Sequence, residues 1–75
     1  MKQSATSFEY KGFTCRASRE PSITGDLEVF YSITRKNDGW VLAEGLDYTN
    51  NLRSAKTDMK ITVDDYFENP EEYED

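Results

Sequence analysis

Residues 27–44 read LEVFYSITRKNDGWVLAE, and the fold turns on them. Leu27, Val29, Tyr31 and Ile33 alternate with Glu28, Phe30, Ser32 and Thr34, the period of a strand with two unlike faces. KNDG then interrupts the alternation. Asp38-Gly39 is a strong short-range signal for a hairpin turn, because both central positions of a two-residue turn favour positive φ. WVLAE is the return strand, and the pair forms the frame to which the rest of the chain is added.

On the N-terminal side, residues 7–18 read SFEYKGFTCRAS. Phe13, Cys15 and Ala17 alternate with Thr14, Arg16 and Ser18, a half-buried strand in which Cys15 faces the core. Phe8 and Tyr10 sit on the opposite parity. A bulge or tight bend at Gly12 reconciles the two sets within one strand, since glycine tolerates the backbone angles required. REPSITGD (19–26) carries Pro21 and Gly25 among short polar residues and reads as the loop between this strand and the next.

After Gly45 the period changes. Leu52, Ala55, Met59, Val63 and Phe67 recur at helical spacing with Ile61 and Tyr66 on the flanks, so residues 52–68 read as an amphipathic helix laid on the sheet. Asn50 or Asn51 caps it, and Asp58, Thr62 and Tyr66 line its wetter side. The chain ends in NPEEYED (69–75), which is a helix-start signal: Asn69 as cap, Pro70 at the first position, and Glu72 completing the Asn version of a capping box. The expected architecture is α+β, a three-stranded antiparallel meander packed by one C-terminal amphipathic helix. Residues 1–68 form the domain, and residues 69–75 form an acidic turn or tail.

A chain of 75 residues with 36% hydrophobic residues has one thin core, which leans on four Phe, five Tyr and one Trp. A single cysteine excludes an intramolecular disulfide and fits a reducing cytoplasm. MKQSATSFEYKGF has no continuous apolar run, so neither a signal peptide nor a membrane span is expected. The absence of histidine removes the commonest general base and the commonest metal ligand. DDYFENPEEYED (64–75) has the length of a calcium loop, yet Tyr66 takes the third position where a carboxylate or amide belongs, and Asn69 with Pro70 stands where glycine is needed. The four glycines are isolated and build no phosphate loop. The expectation is a protein that is not an enzyme and needs no cofactor or metal.

Charge distribution is more informative than the net value of −6. Residues 1–63 hold all nine Lys and Arg against eight acids, whereas residues 64–75 hold seven acids and no base. Acidic ends commonly act only as solubilising tails. Here Tyr66, Phe67 and Tyr73 are interleaved with the carboxylates, and a purely solvating tail has little use for large rings. A folded surface of negative charge competes with phosphates for a basic groove and steers the protein onto a basic partner. Asp64, Asp65, Glu68, Glu71, Glu72, Tyr73, Glu74 and Asp75 are therefore the expected partner-binding surface, with Tyr66 as a further contact and Phe67 as a core residue. One alternative is binding through the sheet face or edge with a passive tail. Another is weak nucleic-acid binding by Arg16, Arg19, Arg35 and Lys36 near Trp40, against which the net charge speaks. A thin sheet with an exposed edge can pair with another copy or with another protein, which leaves the oligomeric state open.

YKGF opening a strand, NDGW at a hairpin, and NLRSAK leading to VDDYF on a helix together resemble small uncharacterised phage and prophage proteins of the sheet-plus-helix type. The resemblance spans roughly residues 8–68 and excludes the acidic end. It implies a protein that disables a host defence or redirects a host enzyme by binding, of the anti-CRISPR or anti-restriction kind, acting in the cytoplasm of the host. Taken with the acidic end, the expected partner is a basic, nucleic-acid-binding host defence or replication protein. It transfers no functional residues.

Overall fold

The computed structural model describes residues 5–21, 25, 27–47 and 51–73. It is an α+β fold in which one helix covers one face of an antiparallel sheet. The sheet has four strands: β1 (Ala5–Tyr10), β2 (Phe13–Pro21), β3 (Leu27–Arg35) and β4 (Val41–Asp47), paired in sequence order. The helix α1 (Leu52–Glu68) follows, and a single 3-10 turn, Pro70–Glu72, ends the described chain.

The fourth strand corrects the expected three, and its cause is Lys11-Gly12. Both residues have positive φ, +51° and +86°, the requirement of a two-residue hairpin turn. The chain reverses there instead of bulging. Tyr10 pairs with Phe13 and Phe8 with Cys15. A two-residue turn places residues of opposite parity side by side on one face, which is why Phe8 and Tyr10 join the face of Phe13, Cys15 and Ala17.

The loop after β2 is shorter than expected, since Arg19, Glu20 and Pro21 pair with Val29, Glu28 and Leu27. Pro21 is the last residue of β2 and pairs with Leu27, a strand end at which its missing N–H is tolerated. The second hairpin holds, although its turn is not a two-residue Asp-Gly turn. Lys36–Gly39 form a longer loop, closed by Arg35 N–H to the Trp40 carbonyl at 2.7 Å and Gly39 N–H to the Arg35 carbonyl at 2.7 Å. Gly39 takes φ +78° and Asp38 does not take positive φ. Beyond the loop the register slips between Ile33↔Ala43 and Thr34↔Val41, a bulge that turns Leu42 into the core while Val41 stays exposed.

Phe13, Cys15, Ala17, Val29, Ile33 and Leu42 from the sheet meet Ala55, Met59, Val63 and Tyr66 from α1. Cys15 is fully buried, as its strand position implies, and burial pushes its thiol pKa upward. The helix begins where expected: the Asn51 side chain accepts hydrogen bonds from the N–H groups of Arg53 at 2.8 Å and Ser54 at 3.3 Å. Asn50, the other candidate cap, lies outside the described residues.

The helix end corrects two assignments. Tyr66 is 8% exposed and belongs to the core, whereas Phe67 is 51% exposed. Ala55, Met59 and Val63 advance by four residues each, and every such step rotates about 40° past a full turn at 3.6 residues per turn. A further step of four, to Phe67, leaves the core face. A step of three, to Tyr66, returns to within about 20° of Ala55.

Candidate functional site

The C-terminal end of α1 rests on a group of rings. Tyr66 lies 5.6 Å from Phe13 and 5.6 Å from Trp40, and Tyr73 meets it edge-on at 5.9 Å. Arg35 stacks on Trp40 at 4.8 Å and donates from Nη1 to the Tyr66 hydroxyl at 3.3 Å. Phe67 contacts Tyr66 and Phe13 along one edge, at 5.3 and 6.0 Å, and presents the rest of its ring to solvent.

On this base the chain after Glu68 folds back. The backbone N–H of Asn69 donates to the Asp65 carbonyl at 2.8 Å, Glu72 N–H to the Asn69 carbonyl at 3.1 Å, and Tyr73 N–H to the Pro70 carbonyl at 3.0 Å. The expected capping box does not form. Asn69 makes no side-chain cap. Its amide donates to Asp65 Oδ1 at 3.2 Å, while the Tyr73 hydroxyl donates to Asp65 Oδ2 at 2.6 Å. Hydrogen bonding to the Asp65 carboxylate, then burial and the nearby negative charges, pushes the Tyr73 pKa up to about 12.

The eight expected surface residues therefore divide into groups. Asp64 accepts from Lys11 Nζ at 2.6 Å and from the Tyr10 hydroxyl at 3.1 Å, and the hydrogen bond from Lys11 lowers its pKa and raises that of Lys11. Asp64 ties the helix to the first hairpin, and Asp65 ties it to Tyr73. Tyr73 is a clamp within the molecule. Glu68, Glu71 and Glu72 are exposed, and their side chains have no hydrogen-bond or ion-pair partner among the described residues. Glu74 and Asp75 lie outside the described residues.

The basic residues are also redistributed. Arg35 is held by Asp38 through Nε at 3.0 Å and Nη2 at 2.9 Å. That fork, with the Trp40 N–H, holds the Asp38 carboxyl down to about 2. Lys36 pairs with Glu9 at 3.1 Å. Phe13 pairs with Arg35 and Ser32 with Arg16, so these two arginines lie on opposite faces of the sheet, and Arg19 stands at the far end of β2. The cations that lack a carboxylate partner among the described residues include Arg53, Lys56 and Lys60 of α1. Lys56 and Lys60 lie over the Phe8 ring at 5.8 and 5.6 Å.

The helix is thus basic in its first half and acidic at its end, with no acid in the first turn and no base in the last. This opposes the macrodipole, whose positive N-terminus favours acids and whose negative C-terminus favours bases. The sign change along 52–72 can be read from the sequence, although it becomes meaningful only once the helix and the turn are known to be continuous.

The face of the sheet away from the helix carries an open groove of about 530 Å³ between Arg16 and Phe30, floored by small residues such as Ala5, Ser7, Ser18 and Ser32. Among the described residues no group of three or more His, Cys, Asp or Glu is placed to hold a metal ion, and no helix is long and apolar enough to cross a membrane. No family model, no curated protein and no solved structure matches the chain.

Proposed function

We propose that this chain is a small protein-binding module whose acidic C-terminal end docks on a basic surface of another protein, of the kind that otherwise holds nucleic-acid phosphates. Glu68, Glu71 and Glu72 form the working surface, with Glu74 and Asp75 extending it in sequence and the exposed Phe67 ring supplying an apolar contact beside it. The observation that carries this reading is that these glutamates are unneutralised on a turn anchored by Tyr73 and Asp65. Glu68 stands at the end of a helix whose dipole disfavours it, while Glu71 and Glu72 occupy the first turn of the 3-10 segment that follows. Local stability does not account for the placement of Glu68, and charge arranged against a local rule is expected where it serves a function. A pre-ordered acidic surface steers association and loses less entropy on docking than a loose tail. The resemblance to small phage proteins adds a context, an inhibitor of a host defence or replication protein of the anti-CRISPR or anti-restriction type that works by binding and not by catalysis.

The test is capture of nucleic-acid-binding proteins from a host lysate by the wild-type chain and by Glu68→Gln/Glu71→Gln/Glu72→Gln, with circular dichroism to show that both are folded. Capture of such a protein that is lost in the variant, lost as salt rises and competed by DNA is the expected result. Equal capture by both chains overturns the reading. It would favour a second one, binding through the groove between Arg16 and Phe30 on the uncovered sheet face, which Arg16→Ala and Phe30→Ser would then weaken.

A further inference from the structure

The outer surface of α1 is basic toward its start and acidic at its end. Ile61, 59% exposed, stands on the side of the helix away from the sheet. Stepping by about 100° per residue, Arg53, Thr57 and Glu68 fall within a quarter-turn or so of it. Arg53 precedes Ile61 by about two turns, and Glu68 follows by about two turns. Lys56 and Lys60 flank the basic half, and Glu71 and Glu72 continue the acidic half. Neither Arg53 nor these glutamates have an ion-pair partner among the described residues.

We infer that two copies of this chain associate through α1, antiparallel, about a two-fold axis passing beside Ile61. In that arrangement the two Ile61 side chains meet at the axis, and Arg53 of each copy comes opposite the Glu68–Glu72 end of the other. A two-fold contact repeats every interaction, so all of these unneutralised charges are used at once. The same arrangement accounts for the charge order along the helix. Arg53 and Glu68 are each unfavourable at their own end of their own helix, yet lie beside the opposite pole of the neighbouring helix, where the dipole interaction is attractive. Ser54 and Thr57 are small enough for the backbones to approach. The contact has little apolar area beyond Ile61, and exposed ion pairs contribute little each. The association is therefore weak, concentration-dependent and sensitive to salt, and a basic partner displaces the second copy by taking the same glutamates.

Sedimentation equilibrium of the full chain tests this without any partner. At low salt, where the screening length is about 30 Å, the average mass is expected to rise with concentration from 8.7 kDa toward twice that value. Near 1 M salt, where the length is about 3 Å, it is expected to return to the monomer. A monomer at every concentration in low salt overturns the inference, as does a dimer indifferent to salt, which would point to strand-edge pairing. Arg53→Glu/Lys60→Glu and Glu68→Lys/Glu72→Lys are each expected to weaken self-association roughly tenfold or more, since every substitution acts twice across the axis. Mixing the two variants is expected to restore a dimer. Failure of the mixture to exceed monomer mass, with both variants folded by circular dichroism, also overturns it.

Discussion

The Tyr73 hydroxyl donates a 2.6 Å hydrogen bond to Oδ2 of Asp65, eight residues earlier on the helix, and its ring meets Tyr66 edge-on. This pair converts the end of the described chain from a tail into a surface. A single three-residue 3-10 turn is too short for isolated helical propensity to hold it. The ring supplies packing and the hydroxyl supplies direction.

Tyr73→Phe keeps the ring and removes the hydroxyl. The expected cost is about 1 kcal/mol, low for a bond to a charged group because the site is partly solvated. Amide exchange at Asn69 and Tyr73 should accelerate together. The folded pKa of about 12 lies above the usual tyrosine value of about 10. The stabilisation is therefore complete below about 10 and is lost as pH rises toward about 12. Wild-type and variant melting temperatures should converge over that alkaline interval, and a gap that persists through it would refute the assignment.

Exchange of the roles expected for Tyr66 and Phe67 is measurable by paired truncation. Tyr66→Ala opens the core between Phe13 and Trp40 and should cost about 3 kcal/mol or more, a large share of a 75-residue domain's stability. Phe67→Ala removes a ring half in water and should cost about 1 kcal/mol or less. Urea denaturation of both variants gives the comparison, and equal losses would return Phe67 to the core.

The helix was legible because its cap, its period and its terminus are all local: Asn51, the Ala55–Met59–Val63 stripe, and Asn69-Pro70. The β3–β4 hairpin was legible from alternation and Gly39. The first hairpin was hidden because Lys11 is an uncommon residue for positive φ, so Gly12 alone read as a bulge. The acidic residues were visible, but their division was not. Asp64 is taken up by Lys11, 53 positions away, and nothing near either residue in the chain announces that pairing. Asp65 is taken up by a tyrosine whose ring position depends on Tyr66 being buried.

Gly12 at φ +86° is the hinge of the corrected topology. Gly12→Val places a β-branched residue in the left-handed region and should destabilise by roughly 1–2 kcal/mol, although an added Cβ meets no neighbouring atom there. Were Gly12 merely a bend in a continuous strand, valine would be tolerated. Thermal melts of Gly12→Val and of Gly12→Asn, which accepts positive φ more readily, separate backbone strain from lost space: the asparagine variant should recover much of the loss.

Asp58 and Asp47 lie across the seam between α1 and β4, beside a cleft lined by Tyr31, Leu46, Met59 and Thr62. The hydrogen bond shared with Asp47, then burial and the Asp47 charge, raises the Asp58 pKa. A raised carboxyl pKa means that the fold prefers the protonated form. The contribution to stability is full below the unfolded value of about 3.9 and is lost as pH rises through the folded pKa. At neutral pH the two carboxylates repel. Asp58→Asn retains a donor toward Asp47 and removes one charge, so it should raise the melting temperature at pH 7, with the gain shrinking as pH falls toward about 3.9. Asp47→Asn should act in the same direction. Because either substitution alone ends the repulsion, the double variant should gain less than the sum of the two. Additive gains, or a gain that is unchanged by acid, would mean that the carboxylates do not share a proton.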